Sequence, residues 1–278
     1  MSRCLVLVGA FAVMFVSAMA VLAEDDSAKT AESAALMAAR EHMSEFTVNP
    51  SAKGRDAVID MLPNPLLTYG DAARNNEAGT LWAWGKSGRP VAFLELYRSV
   101  GQDQPWVHAL TLTSPELVQL KGPTERKWTP QSSHFALKDV PDSPEVGDKP
   151  TVRLRQMKEI SRRFEAHEFW DPNNSRFELR LLVQPVHRYR DESAKLTDGA
   201  VFVLAHGTNP EVLIQIEAHA DEQPPRWRYS LARLGSAEMH VSIDGREVWT
   251  RDRTPGIVGQ PVDPYWLLIT PPTLTNSK

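Results

Sequence analysis

Apolar residues recur at helical spacing in two separate places in the chain. The first set is Leu36, Ala39, Met43 and Phe46, and the second set is Leu154, Met157, Ser161 and Phe164. Residues three or four positions apart share one face of a helix. The pattern therefore predicts one amphipathic helix near the start of each half of the chain.

Short apolar runs separated by turn residues follow each predicted helix. The uninterrupted run at 212–216 predicts a strand that is buried on both faces. Residues 239–250 carry Asp244-Gly245 between two strand-like runs, which is typical of a two-residue β-hairpin. Each half is thus expected to hold one helix followed by several antiparallel strands.

A shift of 120 residues aligns the chain with itself. Pro65, Tyr69, Asp71, Gly79 and Pro90 then fall on identical residues at positions 185, 189, 191, 199 and 210. With one further residue of shift, Trp106 falls on Trp227 and Trp128 falls on Trp249. This pattern favours an internal repeat. The alternative is two unrelated β-rich halves whose turns coincide.

These patterns predict an α+β fold of two tandem similar modules. Each module is expected to be one helix packed on a curved, mostly antiparallel sheet of four or five strands. The modules span residues 31–139 and 151–269, and a linker rich in proline and acidic residues joins them at 140–150. Residues 24–30 and the tail at 270–278 are expected to be extended.

The first 23 residues are typical of a secretory signal peptide. Arg3 precedes an apolar stretch at 4–23 that contains no charge, and Glu24 follows the small residue Ala23. We therefore expect export to the periplasm or the extracellular space after cleavage. An uncleaved segment that anchors the protein in a membrane is the alternative. The mature chain contains no cysteine, because Cys4 is the only one in the sequence.

Five short motifs stand out in the second half of the chain. They are Gln156-Met157-Lys158, Arg188-Tyr189-Arg190, and the segments at 198–202, 207–213 and 227–233. Together with residues 82–90, these motifs resemble a family of uncharacterised exported proteins of planctomycete-type bacteria. The likeness covers about two thirds of the chain. The family has no known activity, so the resemblance implies export and nothing about chemistry.

The charge and motif content limits the possible functions. The chain has 31 Lys and Arg residues against 35 Asp and Glu residues, and this net charge of -4 argues against a nucleic-acid partner. No two histidines have metal-ligand spacing on one predicted element, and no glycine-rich loop is of the type that binds phosphate. We therefore expect neither a metal ion nor a cofactor.

A weak catalytic hypothesis centres on His206, which lies at a predicted hairpin turn. A histidine can act as a general base when a carboxylate lies within hydrogen-bond reach, and Asp191 and Asp198 are the two candidate partners. The alternative is a turn histidine bonded to the backbone. A weak binding hypothesis uses Trp82, Trp84 and Trp227 as an aromatic platform. Its alternative is packing of these side chains in the core.

The sequence thus favours an exported, non-catalytic binding or scaffolding protein of the cell envelope. Its partner is expected to be an unknown envelope protein, a glycan or a small ligand. One alternative is a hydrolase or isomerase with a histidine–carboxylate pair in the second module. Another is a carrier that holds a small apolar ligand between helix and sheet.

Overall fold

The computed structural model describes residues 34–52, 57–71, 76–85, 88–99, 104–123, 125–221, 223–254 and 259–270. The predicted signal peptide, the segment at 24–30 and all but the first residue of the predicted tail lie outside these residues. The chain divides into two compact units, Met1–Ser44 and Glu45–Lys278. In the first unit, residues 34–43 form helix α1, in which Ala39 and Met43 are buried.

Sixteen strands and one further helix make up the described part of the second unit. The strands before the helix are β1 (Thr47–Pro50), β2 (Leu67–Asp71), β3 (Asn76–Trp84), β4 (Ala92–Ser99), β5 (Trp106–Leu112), β6 (Val118–Lys121), β7 (Lys127–Trp128) and β8 (Lys138–Asp139). Helix α2 (Pro150–Ser161) follows. The strands after it are β9 (Phe164–Phe169), β10 (Phe177–Asp191), β11 (Leu196–His206), β12 (Asn209–His219), β13 (Arg226–Arg233), β14 (Glu238–Ile243), β15 (Arg246–Arg251) and β16 (Tyr265–Thr270).

These strands form three antiparallel sheets within the described residues. The largest sheet has eight strands in the order β15-β14-β9-β10-β11-β12-β13-β8. A second sheet has five strands in the order β16-β5-β4-β3-β2, and a third has three in the order β1-β6-β7. The predicted hairpin is confirmed as β14 and β15, with Asp244 and Gly245 at φ 50° and 74° in its turn. Both angles are those that a two-residue turn of this kind requires.

The predicted fold class is wrong. The described part of the chain is mostly β, with 51% of the described residues in strands and 10% in helices, so it is not an α+β protein with a helix on a small sheet in each module. Strands β9, β14 and β15 extend the second-half sheet beyond β10 to eight strands. The pairing of β9 with β14, which adds the hairpin of β14 and β15 to the sheet, is long-range, and it leaves no trace in the local patterns from which the class was predicted.

The central strands of the largest sheet lie between two apolar clusters. Every residue of β12 is buried, which confirms the prediction from the run at 212–216. In β11, Ala200 and Phe202 belong to a cluster with α2, whereas Val201 and Val203 belong to a cluster that includes Phe93 of the five-stranded sheet. Because successive strand residues point to opposite faces, helix α2 covers one face and the five-stranded sheet covers the other.

A buried ion pair joins the two large sheets. Arg89 precedes β4 and donates two hydrogen bonds, each of 2.6 Å, to the carboxylate of Glu217 in β12. Tyr189 and His219 also contact this carboxylate, each at 2.7 Å. Burial alone raises the pKa of Glu217, but the hydrogen bonds from Arg89 and His219 outweigh it and lower the pKa to about 2.

The pairing registers of the two halves match. Tyr69 pairs with Gly79 in the first half, and Tyr189 pairs with Gly199 in the second. Likewise Leu120 lies opposite Trp128, and Val241 lies opposite Trp249. These registers support the internal repeat, which remains a proposal.

The two halves of the chain exchange their outermost strands. The last strand of the chain, β16, pairs with β5 in the five-stranded sheet. Strand β8 precedes α2, yet it pairs with β13 in the eight-stranded sheet. Strands β8 and β15 are therefore the two edges of the largest sheet, and the candidate site lies between them.

Candidate functional site

A cleft opens where the eight-stranded sheet curls until its edges approach each other. The Lys138 ammonium of β8 donates a hydrogen bond of 2.7 Å to the carbonyl oxygen of Val248 in β15. The opening beside this contact has a volume of about 370 Å³ and continues into a narrow end of about 20 Å³. We call the two parts together the cationic cleft. The narrow end is lined by residues that include Gln215, Arg233 and Tyr265, the open end by Ala136, Lys138, Tyr229, Glu247 and Val248, and both ends by His134, Leu231, Trp249 and Arg251.

Two arginines give the cleft its positive charge. The Arg233 guanidinium donates to the carbonyl oxygens of Gly235, Ala237 and Asp252 at 2.6–3.0 Å, so its charge is held in place by neutral groups. Arg251 donates to the carbonyl oxygen of Thr250 at 2.8 Å. Burial lowers the pKa of both side chains, although an arginine stays protonated at neutral pH. Within the described residues, no carboxylate forms an ion pair with either guanidinium.

Aromatic rings hold these two arginines in place. The Arg251 guanidinium carbon lies 4.8 Å from the centre of the Trp249 ring, and that of Arg233 lies 4.9 Å from the centre of the Tyr265 ring. Cations are attracted to the faces of such rings. The stacking therefore fixes the direction of both side chains without neutralising their charge.

His134 faces this positive charge. Burial lowers the pKa of His134, the charges of Arg251 and Arg233 lower it further, and Asp263 opposes them. The imidazole is therefore neutral at pH 7 and can donate one hydrogen bond while it accepts another.

Three buried polar atoms of the cleft have no hydrogen-bond partner among the described residues. They are Nε2 of Gln215, Nε1 of Trp249 and the hydroxyl of Tyr265. The Gln215 and Tyr265 side chains belong to residues that are only 2% and 6% exposed. Buried polar groups are normally hydrogen-bonded, so these atoms mark a place where a bound molecule would supply partners.

The structure separates His206 from the carboxylates predicted to assist it. Asp198 lies eight residues before His206 on the same strand, which corresponds to a distance on the order of 26 Å. The nearest acid is instead Glu168 of β9, whose Oε1 is 2.7 Å from Nδ1 of His206. Sequence reasoning missed this pair because Glu168 belongs to a different strand that pairs with β10.

Both candidate aspartates have other contacts. Asp198 accepts hydrogen bonds from Arg153 at 2.9 Å and from Arg188 at 2.6 Å, so it is a structural ion-pair partner near the start of α2. Asp191 accepts a hydrogen bond of 2.6 Å from the Ser193 hydroxyl in the turn before β11. This bond, the largest cause, lowers the pKa of Asp191.

The three tryptophans proposed as a binding platform lie in the core. Trp82, Trp84 and Trp227 are each 1% exposed. No face of their rings is open to a ligand, and the geometry favours the alternative of core packing. Trp249, which the sequence singled out only as the repeat partner of Trp128, is the tryptophan that lines the cleft.

The described residues contain neither a metal-binding cluster nor a membrane-spanning helix. No group of three or more His, Cys, Asp or Glu side chains is arranged to hold a metal ion. Neither α1 nor α2 is long and apolar enough to cross a bilayer.

The chain has no match among known proteins in any of the three comparisons made. No protein-family model, no curated protein and no solved structure matches it. The resemblance to exported proteins of planctomycete-type bacteria therefore stays a prediction.

Proposed function

We propose that the protein is an exported, non-catalytic binding protein of the cell envelope and that the cationic cleft is its ligand site. The observation that carries the proposal is the set of three unpartnered buried atoms in the cleft, that of Trp249 beside the opening of about 370 Å³ and those of Gln215 and Tyr265 at the narrow end. Ligand sites commonly have volumes of about 300–1,000 Å³ and a small number of placed polar groups that orient the ligand. Export rests on the N-terminal sequence pattern alone.

Of the expected partners, the cleft fits a small ligand best. An extended protein segment would have to pair with the free edge of β15. On that edge, Lys138 already donates a hydrogen bond to the carbonyl oxygen of Val248, and Arg251 donates one to the carbonyl oxygen of Thr250. Side chains that cover an edge in this way hinder strand addition. The remaining space suits a molecule of low mass.

The test is a fragment screen followed by NMR of the tryptophan indole N–H groups. A library of neutral, cationic and anionic fragments is titrated into the ¹⁵N-labelled protein. We expect some fragments to shift the Trp249 signal, which is assigned with Trp249→Phe. Trp128 is the matched control, because its indole N–H already donates to the carbonyl oxygen of Asp263 at 2.8 Å. A Trp249 signal that no fragment moves would contradict the proposal.

The pair of His206 and Glu168 favours a second candidate function, that of a hydrolase or isomerase. A carboxylate 2.7 Å from one ring nitrogen orients a histidine for proton transfer through the other. Glu168 also lines a separate cleft of about 220 Å³ that includes Trp170 and Ser236. The pair thus lies beside a space that could hold a substrate.

This second function is tested with a panel of chromogenic esters and glycosides. Turnover by the wild-type protein that is lost in His206→Gln would support it. His240→Gln is the matched control, since His240 also contacts a carboxylate, that of Glu247 at 2.8 Å, but lies on another strand. Equal rates for the wild-type protein and His206→Gln would exclude a catalytic role of this pair.

A further inference from the structure

Gln215, Trp249 and Arg251 present hydrogen-bond donors at the narrow end of the cationic cleft. The Gln215 Oε1 atom already accepts a hydrogen bond of 2.7 Å from the Ser230 hydroxyl, so the side chain presents only its NH₂ group. The indole of Trp249 is a donor and never an acceptor. Arg251 uses one N–H on the Thr250 carbonyl oxygen and keeps others, out of five, for a ligand. A molecule bound here must therefore supply acceptors.

The charge of the lining points in the same direction. Lys138, Arg233 and Arg251 carry three positive charges, and Glu247 is the single carboxylate among the lining residues described. The Glu247 carboxylate is also engaged by the imidazole of His240 at 2.8 Å. A cleft with this excess of positive charge attracts an anion.

Part of the wall is apolar. Ala136, Tyr229, Leu231, Val248 and Trp249 line the open end. An inorganic anion would leave this surface without a partner. The favoured ligand thus has an anionic group and an apolar part of its own.

We propose that the ligand of the cationic cleft is an organic carboxylate whose apolar tail lies against Tyr229, Leu231 and Trp249. Its carboxylate oxygens accept hydrogen bonds from Arg251 and Trp249, which line both parts of the cleft. This inference rests on the proposed function, because it names the chemistry of the ligand for the same site.

The experiment compares three probes that differ only in the head group. Phenylacetate, 2-phenylethanol and 2-phenylethylamine share the aromatic tail and carry a negative, a neutral and a positive group. Binding is measured by calorimetry and by the shift of the Trp249 indole signal. We expect phenylacetate to bind at least about tenfold more tightly than the alcohol, as charge-assisted hydrogen bonds imply. The amine should bind most weakly of the three.

Substitutions in the cleft test which residues bind the carboxylate of phenylacetate. Arg251→Gln should weaken phenylacetate binding about tenfold or more, whereas Arg251→Lys keeps the charge and part of the affinity. Trp249→Phe removes the donor but keeps an aromatic wall, and it should cost several-fold. Arg246→Gln is the matched control, since Arg246 lies exposed on the same strand and does not line the cleft. Melting temperatures verify that each variant is folded.

A peptide carboxylate and a free organic acid share this chemistry. N-acetylphenylalanine represents a peptide C-terminus, and its amide represents the same end without the charge. A site for peptide C-termini should therefore bind N-acetylphenylalanine and exclude its amide. Binding of phenylacetate without binding of N-acetylphenylalanine indicates a free acid.

Two outcomes overturn the inference. One is equal or tighter binding of the amine or the alcohol, and the other is no effect of Arg251→Gln on phenylacetate. Failure of phenylacetate to bind at millimolar concentration also counts against it. If neutral or cationic fragments still shift the Trp249 signal, the cleft remains a ligand site and only the assignment of a carboxylate as its ligand is wrong. If no fragment shifts Trp249, the proposed function fails as well.

Discussion

Glu217 shows at the scale of one residue how a polar group is kept between two sheets. Its carboxylate is fully buried and contacts Arg89, Tyr189 and His219. A pKa of about 2 in the folded protein, against 4.5 when unfolded, means that the unfolded chain takes up the proton first as the pH falls. The ion pair therefore contributes on the order of 3 kcal/mol of stability above pH 4.5, and this contribution is lost as the pH falls toward 2.

Glu217→Gln is expected to remove this contribution. The amide keeps the shape of the carboxylate but leaves the charge of Arg89 without a counter-charge, at a cost of about 3–5 kcal/mol at pH 7. Urea unfolding at pH 7, 4.5 and 3 measures both the loss of stability at pH 7 and the change of stability with pH. The variant should lose less stability than the wild-type protein between pH 4.5 and pH 3.

Glu178→Gln serves as the control for this prediction. Glu178 forms an ion pair with Arg176, but both side chains are more than half exposed. Exposed pairs are worth about 0–1 kcal/mol, so this variant should unfold almost like the wild-type protein. Equal effects of the two substitutions would contradict the role given to Glu217.

The candidate site could not be predicted from the sequence, for a reason visible in two residues. His134 and Arg251 meet because the eight-stranded sheet brings the segment before β8 close to β15. No local pattern links positions so far apart in the chain. His206 shows the same limit, since its carboxylate partner lies on β9 and not beside it in sequence.

At the scale of elements, the sequence predicts what depends on neighbours along the chain. The hairpin of β14 and β15 follows from Asp244-Gly245, and the burial of β12 follows from its apolar run. The order of strands in the sheet could not be predicted, because β10 pairs with β9 through residues 177–179 and with β11 through much of its remaining length. That division depends on curvature and long-range pairing, which local periodicity does not record.

The contact between Tyr189 and Gly199 makes a prediction about the pairing of β10 with β11. A Cβ atom on Gly199 would lie 2.6 Å from Cε2 of the Tyr189 ring, which is itself 6% exposed and bonded to Glu217. The ring has no room to move away. Gly199→Ala should therefore lower the free energy of unfolding by about 1–3 kcal/mol, measured by urea denaturation.

Introducing Gly199→Ala into a Tyr189→Val variant separates the steric effect of the tyrosine ring from an effect on the backbone. In Tyr189→Val the added methyl group has space, so the further loss from Gly199→Ala should shrink. Gly207→Ala is the control: its Cβ would meet nothing within 4 Å, and its φ of +61° costs about 1 kcal/mol in either background. A loss from Gly199→Ala that is the same in both backgrounds would contradict the explanation.

At the scale of the whole second unit, the exchange of β8 and β16 links the two halves. Each large sheet takes its outermost strand from the other half of the chain. The apolar cluster between the sheets joins side chains such as Leu81 and Phe93 to Val203 and Leu213. Two halves that are joined in this way gain stability as one body, since neither half can bury its apolar surface alone.

This linkage predicts the behaviour of the chain cut within the linker. Fragments 24–143 and 144–278 each lack one exchanged strand, and each exposes its side of the cluster between the sheets. We expect neither fragment alone to unfold cooperatively in near-ultraviolet circular dichroism, and the equimolar mixture to recover a single transition. The control is the full chain with an uncleaved protease site between residues 143 and 144. A fragment that melts cooperatively on its own would show that its half is an independent module and that the exchanged strand is dispensable.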